Sequence, residues 1–238
     1  MTDLVDVTVP TNDDWEMPAL VATPDDDEAH PGVLVVHDLL GVSEDMRRIA
    51  ARLAASGYVV LVPDFFGPGH RVPCVMRAVL ALKRGHGAPF SRLADAHAYL
   101  ADRPDVAGHS TAVVGFCIGG GFAVLYTPHS EAQAVAVFYG DVPRDIEKLR
   151  GMPGCVAGYG GRDRIFAPQG RRLREHLTAL SVERDIVEYP SAGHGYMNDN
   201  DNLLARLSGW TPMATGFDTD AAEDSWERML SFFAEHLG

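Results

Sequence analysis

The cysteine in "VVGFCIGGGFAV" (113–124) sits between two glycines, Gly115 and Gly119, each two places away. An apolar run precedes it and a helical pattern follows, so Cys117 falls on a tight strand-to-helix turn. Glycines at those two places let strand and helix crowd the turn with no Cβ in the way. A helix N-terminus beneath a thiol favours the thiolate, the form that attacks a carbonyl carbon. Such a nucleophile needs a base within hydrogen-bond reach and an acid to orient that base. Two downstream loops supply them. "GCVAGYG" runs into "GRD", which puts Asp163 just past an apolar run, and "RDIVEYP" runs into "SAGHGY", which puts His194 on a glycine-flanked loop. Plainer readings of these residues stay open: a small buried apolar cysteine, a loop or cap aspartate with Asp141 as the acid instead, and one histidine among ten. A Cys/His/Asp zinc site lacks a second close-spaced ligand. Neither G-x-G-x-x-G nor a G-K-[ST] phosphate loop is formed here. Neither cofactor nor metal is expected.

The elements around these residues must hold them at one end of a sheet. "GVLVVHD" (32–38), "YVVLVPD" (58–64), "TAVVGF" (111–116), "AVAVFYG" (134–140) and "GCVAGYG" (154–160) are short valine-rich runs. Runs of that kind fit strands covered on both faces, as in a parallel sheet. "RDIVEYP" (184–190) alternates more and belongs nearer an edge, while "VDVTVP" and "MPALVATP" read as an N-terminal hairpin or edge strands. Met46, Ile49, Ala50, Leu53 and Ala54 recur at helical spacing, with Ser43 as N-cap and Gly57 as the stop. Ala222, Trp226, Met229, Leu230, Phe233 and Leu237 form a second stripe on a C-terminal helix. Alternating strands and helices with the order nucleophile, acid, histidine match the elbow and triad order of the α/β-hydrolase fold. The expected architecture is α/β, a mostly parallel central sheet with helices on both faces, residues 1–238 forming one domain.

Composition narrows the partners. A net charge of −13 argues against nucleic acid and against an anionic membrane surface. The longest uncharged stretch, 110–128, is split by four glycines and reads as strand-turn-helix, not a membrane span. "MTDLVDVTVP" has neither a basic n-region nor an apolar h-region, so no secretory signal is expected. Cys74, Cys117 and Cys155 are odd in number and far apart, which favours free thiols in the cytoplasm.

"GFCIGGG", "GGRDRIFAP" and "AGHGYMN", with "VLVVHDLLGVSEDMRRIAARLAASGYVVLVPDFFG" upstream, resemble the dienelactone hydrolase (carboxymethylenebutenolidase) family from about Gly32 to the C-terminal helix. The resemblance implies cofactor-free hydrolysis of a small ester or enol-lactone, within aromatic catabolism, by Cys117, His194 and Asp163. It implies an oxyanion hole from the backbone N–H groups of Leu39 and Ile118. It also places an acid facing the thiol at the end of the strand before "LLGV", a glutamate in the family and Asp38 here. The alternative for Asp38 is a strand-end aspartate that caps a loop. His37 reads as a packed or loop residue.

Two departures bear on the substrate. Family members that clamp a carboxylate use an arginine about a turn past the histidine, and "HGYMNDND" offers none. A second family arginine corresponds in place to Arg77, within a segment, 67–90, that matches poorly. Phe66, Tyr139, Tyr159 and Tyr196 follow strand ends and either wall a pocket or belong to the core. Residues 198–217 are a candidate lid. Rival functions are a thioesterase or acyltransferase on the same residues, a non-catalytic ligand-binding protein of this fold, and a redox sensor at Cys117.

Overall fold

The computed structural model describes residues 3–67, 71–199 and 211–238. The valine-rich runs become strands with alternate side chains on opposite faces: Val33, Val35, Ala112 and Val114 join one core, Leu34, Val36 and Val113 the other. The strands are β1 (Asp3–Pro10), β2 (Glu16–Thr23), β3 (His30–Val36), β4 (Val59–Pro63), β5 (Val106–Phe116), β6 (Ala134–Phe138), β7 (Gly154–Gly160) and β8 (Arg184–Tyr189). They form one sheet in the order β1-β2-β4-β3-β5-β6-β7-β8. β1 and β2 are the expected antiparallel hairpin, and β2 also runs antiparallel to β4. Every pairing from β4 to β8 is parallel, and the alternating β8 is the edge strand.

Helices cover both faces. α1 (Glu44–Ala55) and α6 (Thr219–Leu237) pack one face through Met46, Ile49, Leu53, Trp226, Met229 and Phe233. α2 (Arg71–Arg84), α3 (Ala88–Ala101), α4 (Ile118–Tyr126) and α5 (Ala167–Ala179) cover the other. α1 starts as its sequence dictates: Ser43 Oγ accepts the Met46 N–H at 3.3 Å, with Glu44 and Asp45 in the first turn. β5 starts earlier than the apolar run suggests, because His30 pairs with Val106 and Gly32 with Thr111 across an irregular register. Among the described residues no helix is long and apolar enough to cross a membrane.

Since β3 to β8 are parallel, their carboxyl ends lie at one edge, and the loops carrying Asp38, Cys117, Tyr139, Asp163 and His194 all leave from that edge.

At the opposite end, His97 of α3 ties two elements together. Its Nδ1 lies 2.9 Å from Tyr126 Oη and its Nε2 2.7 Å from Thr111 Oγ1, all buried. Burial pushes this imidazole down to about 4 from an ordinary 6.5. Between those values the unfolded chain binds the extra proton. Stability is therefore fully present above about pH 6.5 and is lost as pH falls toward 4, by up to about 1.4 kcal/mol per pH unit. Denaturant titrations should show His97→Leu less stable than wild type at pH 7.5, with the gap narrowing steadily to pH 4.5. A constant gap would mean that His97 does not carry this dependence.

Candidate active site

β5 ends at Phe116 and α4 begins at Ile118, which leaves Cys117 alone to make the turn, at φ 55° and ψ −120°. Such a backbone costs a non-glycine residue on the order of 1–3 kcal/mol and persists only where the surroundings over-determine it. Here they do. The Cys117 N–H donates to Phe138 C=O at 3.0 Å, and Gly121 N–H to Cys117 C=O at 3.3 Å. A Cβ on Gly115 would lie 2.3 Å from the Gly119 carbonyl oxygen, and one on Gly119 would lie 2.1 Å from that of Val36. Only glycine at both places lets α4 start this close to β3 and β5. The thiol stands half-buried above the sheet edge, and the Ile118 N–H, first of α4, has no partner within the helix.

The histidine loop leaves β8 and is laced down by residues 211–216. His194 N–H donates to Met213 C=O at 2.8 Å, Gly216 N–H to His194 C=O at 3.3 Å, and Arg164 N–H to Pro212 C=O at 2.9 Å. The lid candidate 198–217 is thus in part a latch on both the acid and base loops, while its residues 200–210 lie outside the described residues. The latch carries His194 Nε2 to 3.2 Å from Cys117 Sγ and its Nδ1 to 2.7 Å from Asp163 Oδ2. Asp163 is wholly buried, and its other oxygen accepts the N–H groups of Ile165 and Phe166 at 2.9 and 3.0 Å. That leaves Asp163 one free direction, toward the imidazole. Asp141, the alternative acid, is exposed and accepts its neighbour's Val142 N–H. Burial pushes the His194 imidazole down, but the hydrogen bonds to Asp163 and Cys117 outweigh it and raise His194 to about 9. The shift favours the imidazolium form, whose two ring N–H groups would face Asp163 and Cys117.

A second polar cluster adjoins this one. Asp38 Oδ1 accepts the Leu40 N–H at 2.7 Å, so the aspartate caps its own loop. Its Oδ2 lies 3.5 Å from Asn198 Nδ2, which donates to Asp45 Oδ2 at 2.6 Å. Asp45, on the first turn of α1, is neutralised by Arg48 at 2.7 Å, and Arg48 also donates to Met197 C=O. Tyr139 Oη donates to Asn198 Oδ1. Asn198 is the residue that sequence reasoning missed. Its one signal in the sequence is its place four residues past His194, in the stretch that offers no arginine.

The aromatic candidates form the floor of the site and present almost no surface. Tyr139 and Tyr196 are wholly buried, Phe66 is nearly so, and the Tyr196 hydroxyl is spent on Ser225. As substrate-binding wall residues they would offer little open surface; the Tyr139 ring lies 5.0 Å from that of His194. Tyr159 likewise donates to Gly140 C=O from the core. Arg77 is exposed on α2 and donates to Cys74 Sγ at 3.2 Å. Leu39, Leu40, Ile165 and Phe217 supply exposed apolar surface on the site's loops.

A mostly parallel sheet with a strained strand-turn-helix at one edge, and an aspartate and a histidine on the following loops, defines an α/β hydrolase. Solved structures agree in fold. A dienelactone hydrolase-like promiscuous phosphotriesterase from metagenomic libraries superposes with TM-score 0.84 at 21% identity, over 100% of this chain and 99% of that one. A Klebsiella pneumoniae structure titled a "Putative Dienelactone Hydrolase" gives 0.77 at 23%, over 98% and 99%. In sequence, the dienelactone hydrolase family model matches residues 17–237. A Salmonella typhimurium protein named "Putative carboxymethylenebutenolidase" is 30% identical over 97% of this chain and 87% of that relative. The chain belongs to the dienelactone hydrolase family, and it is a hydrolase of that kind.

The elbow's steric demand is directly testable. Gly119→Ala should destabilise the fold by several kcal/mol, because a backbone carbonyl has nowhere to move. Gly216→Ala, whose Cβ would meet nothing within 4 Å, should stay within about 0.5 kcal/mol of wild type. Equal denaturation midpoints for the two would refute the packing argument.

Proposed function

We propose that this protein, acting as a single-domain enzyme over residues 1–238, hydrolyses a small ester or enol-lactone through a thioester on Cys117. The observation that carries the proposal is the continuous chain Cys117 Sγ–His194–Asp163, with separations of 3.2 and 2.7 Å. The Cys117 thiolate attacks the acyl carbon, and the carbonyl electron pair moves onto oxygen, held by the Leu39 and Ile118 N–H groups. Collapse breaks the acyl C–O bond, and the leaving alkoxide or enolate takes the Nε2 proton of His194. The neutral imidazole then takes a proton from water, the hydroxide attacks the thioester, and expulsion of the thiolate restores the starting pair. No step needs a metal or cofactor. Asp38 fits best as the organiser of the Leu39 loop, beside the thiol's acid role implied by the family. Three cysteines outside any disulfide, Cys74 and Cys155 buried and Cys117 part-exposed, suit a reducing cytoplasm.

Iodoacetamide should label Cys117 far faster than Cys74 or Cys155 and abolish activity in step. Cys117→Ala and His194→Ala should each lose at least ~10³-fold in kcat, and the double variant should be scarcely worse. kcat/KM should fall as pH rises through about 9, where His194 loses the proton it gives the leaving group. Asp163→Asn should move that limb to lower pH and cost on the order of 10²–10⁴-fold. Labelling at another cysteine with full loss of activity would overturn the assignment of the nucleophile.

The surroundings favour neutral substrates. Asp38, Asp45, Asn198 and Asp199 gather beside the histidine loop, Asp45 paired with Arg48, and the chain carries a net charge of −13. A substrate carboxylate buried without an arginine partner is costly. Neutral lactones should therefore match or exceed carboxylated rings of the same size in kcat/KM. Any preference for the carboxylate should disappear in Arg77→Ala; a strong preference that survives that change would place the clamp elsewhere and refute this reading.

A further inference from the structure

His37, between the end of β3 and Asp38, takes no part in the chain of proton transfers, yet it is fully buried. Its ring packs on Phe65 and Phe66 with centroids at 4.6 and 4.7 Å. Its Nδ1 lies 2.8 Å from the Asp38 carbonyl oxygen. A carbonyl can only accept, so the hydrogen is on Nδ1. Among the described residues Nε2 has no hydrogen-bond partner, the nearest acid being Asp64 Oδ1 at 3.6 Å. A buried polar atom left in that state opposes folding, and packing against two phenylalanines would be served as well by leucine. Packing alone does not account for a histidine here.

The acceptor explains it. The Asp38 carbonyl and the Leu39 N–H are the two ends of one planar peptide and point in opposite directions, so fixing one aims the other. Gly41 N–H donates to the same carbonyl oxygen at 3.2 Å, and Asp38 Oδ1 holds the Leu40 N–H from the other side of the turn. The turn is packed directly on the elbow: a Cβ on Gly119 would meet the His37 carbonyl oxygen at 2.5 Å. A small rotation of this peptide would swing its N–H away from an oxygen bound at Cys117. We infer that His37 is a positioning residue: by donating Nδ1–H to the Asp38 carbonyl it aims the Leu39 N–H at the developing oxyanion. Donation to the carbonyl also polarises the peptide and strengthens its N–H as a donor. The inference rests on the reading of Leu39 as an oxyanion donor.

Three variants test it. His37→Leu removes the donor and keeps the apolar bulk; His37→Asn places an amide N–H close to the Nδ1 position. Leu39→Pro deletes the oxyanion donor itself. The readouts are kcat and KM for an aryl ester, affinity for a trifluoromethyl ketone that adds to Cys117 as a tetrahedral oxyanion, and iodoacetamide alkylation, which forms no oxyanion. His37→Leu should lower kcat roughly 10–100-fold, below the full loss of a donor. It should weaken the ketone in parallel, with KM and the alkylation rate within about two-fold and the thermal midpoint not lowered; His37→Asn should recover most of the loss. Wild-type kcat and ketone affinity in His37→Leu, or alkylation slowed in step with kcat, would overturn the inference. So would a His37→Asn no better than His37→Leu. If Leu39→Pro leaves ketone affinity intact, the oxyanion reading falls; if it abolishes binding while His37→Leu changes nothing, only the role of His37 falls.

Discussion

The backbone of Cys117 is held at φ 55°, where a side-chain-bearing residue is strained, and the rest of the site is arranged around that turn. The strain lifts the thiol clear of the sheet edge while leaving the N-terminus of α4 beneath it. Carbonyls of β3 and α4 fill the space that side chains at Gly115 and Gly119 would need. The hydrogen bond from Cys117 N–H to Phe138 C=O ties the turn to the neighbouring strand. β3, β5 and β6 thus meet at one residue, and relaxing any of the three would move the sulfur relative to His194.

Around the elbow the loops hold one another through backbone bonds, with side chains reserved for charge. Residues 211–216 latch both the histidine loop and Arg164 beside the acid, so the 2.7 Å contact between His194 and Asp163 does not depend on side-chain freedom. Buried charge is tolerated because each group is compensated. Asp163 accepts two backbone N–H groups as well as the imidazole, and Asp45 is paired with Arg48 and bonded to Asn198. His37 departs from that pattern, with one ring nitrogen bonded and the other left over. A departure of that kind is where a functional role is sought, since stability does not account for it.

Much of this was legible in the linear chain. The valine-rich runs, the N-cap at Ser43 and the stripe on α6 marked the layers, since burial on two faces or one leaves a period in the sequence. Glycines flanking Cys117 and the order cysteine, aspartate, histidine marked the residues that meet at the sheet edge, because a close approach admits no Cβ and a fixed strand order fixes loop order. Membership of the dienelactone hydrolase family followed from the same segments. Sequence spacing could not tell which aromatics touch solvent: Tyr139 and Tyr196 follow strand ends as pocket residues would, yet are wholly buried.

What the chain alone determined, then, is the set of elements and the candidate cysteine, aspartate and histidine, both of which leave local patterns. Tertiary structure decided everything that depends on contacts between distant segments. It decided that Asp163 and not Asp141 meets the imidazole, that Asp38 caps its own loop, that Asn198 joins the histidine loop to α1, and that His37 grips the peptide ahead of Leu39. Those are hydrogen bonds whose partners are set by where loops converge at the sheet edge. A direction in space, unlike a hydrophobic period, has no signature in residue order.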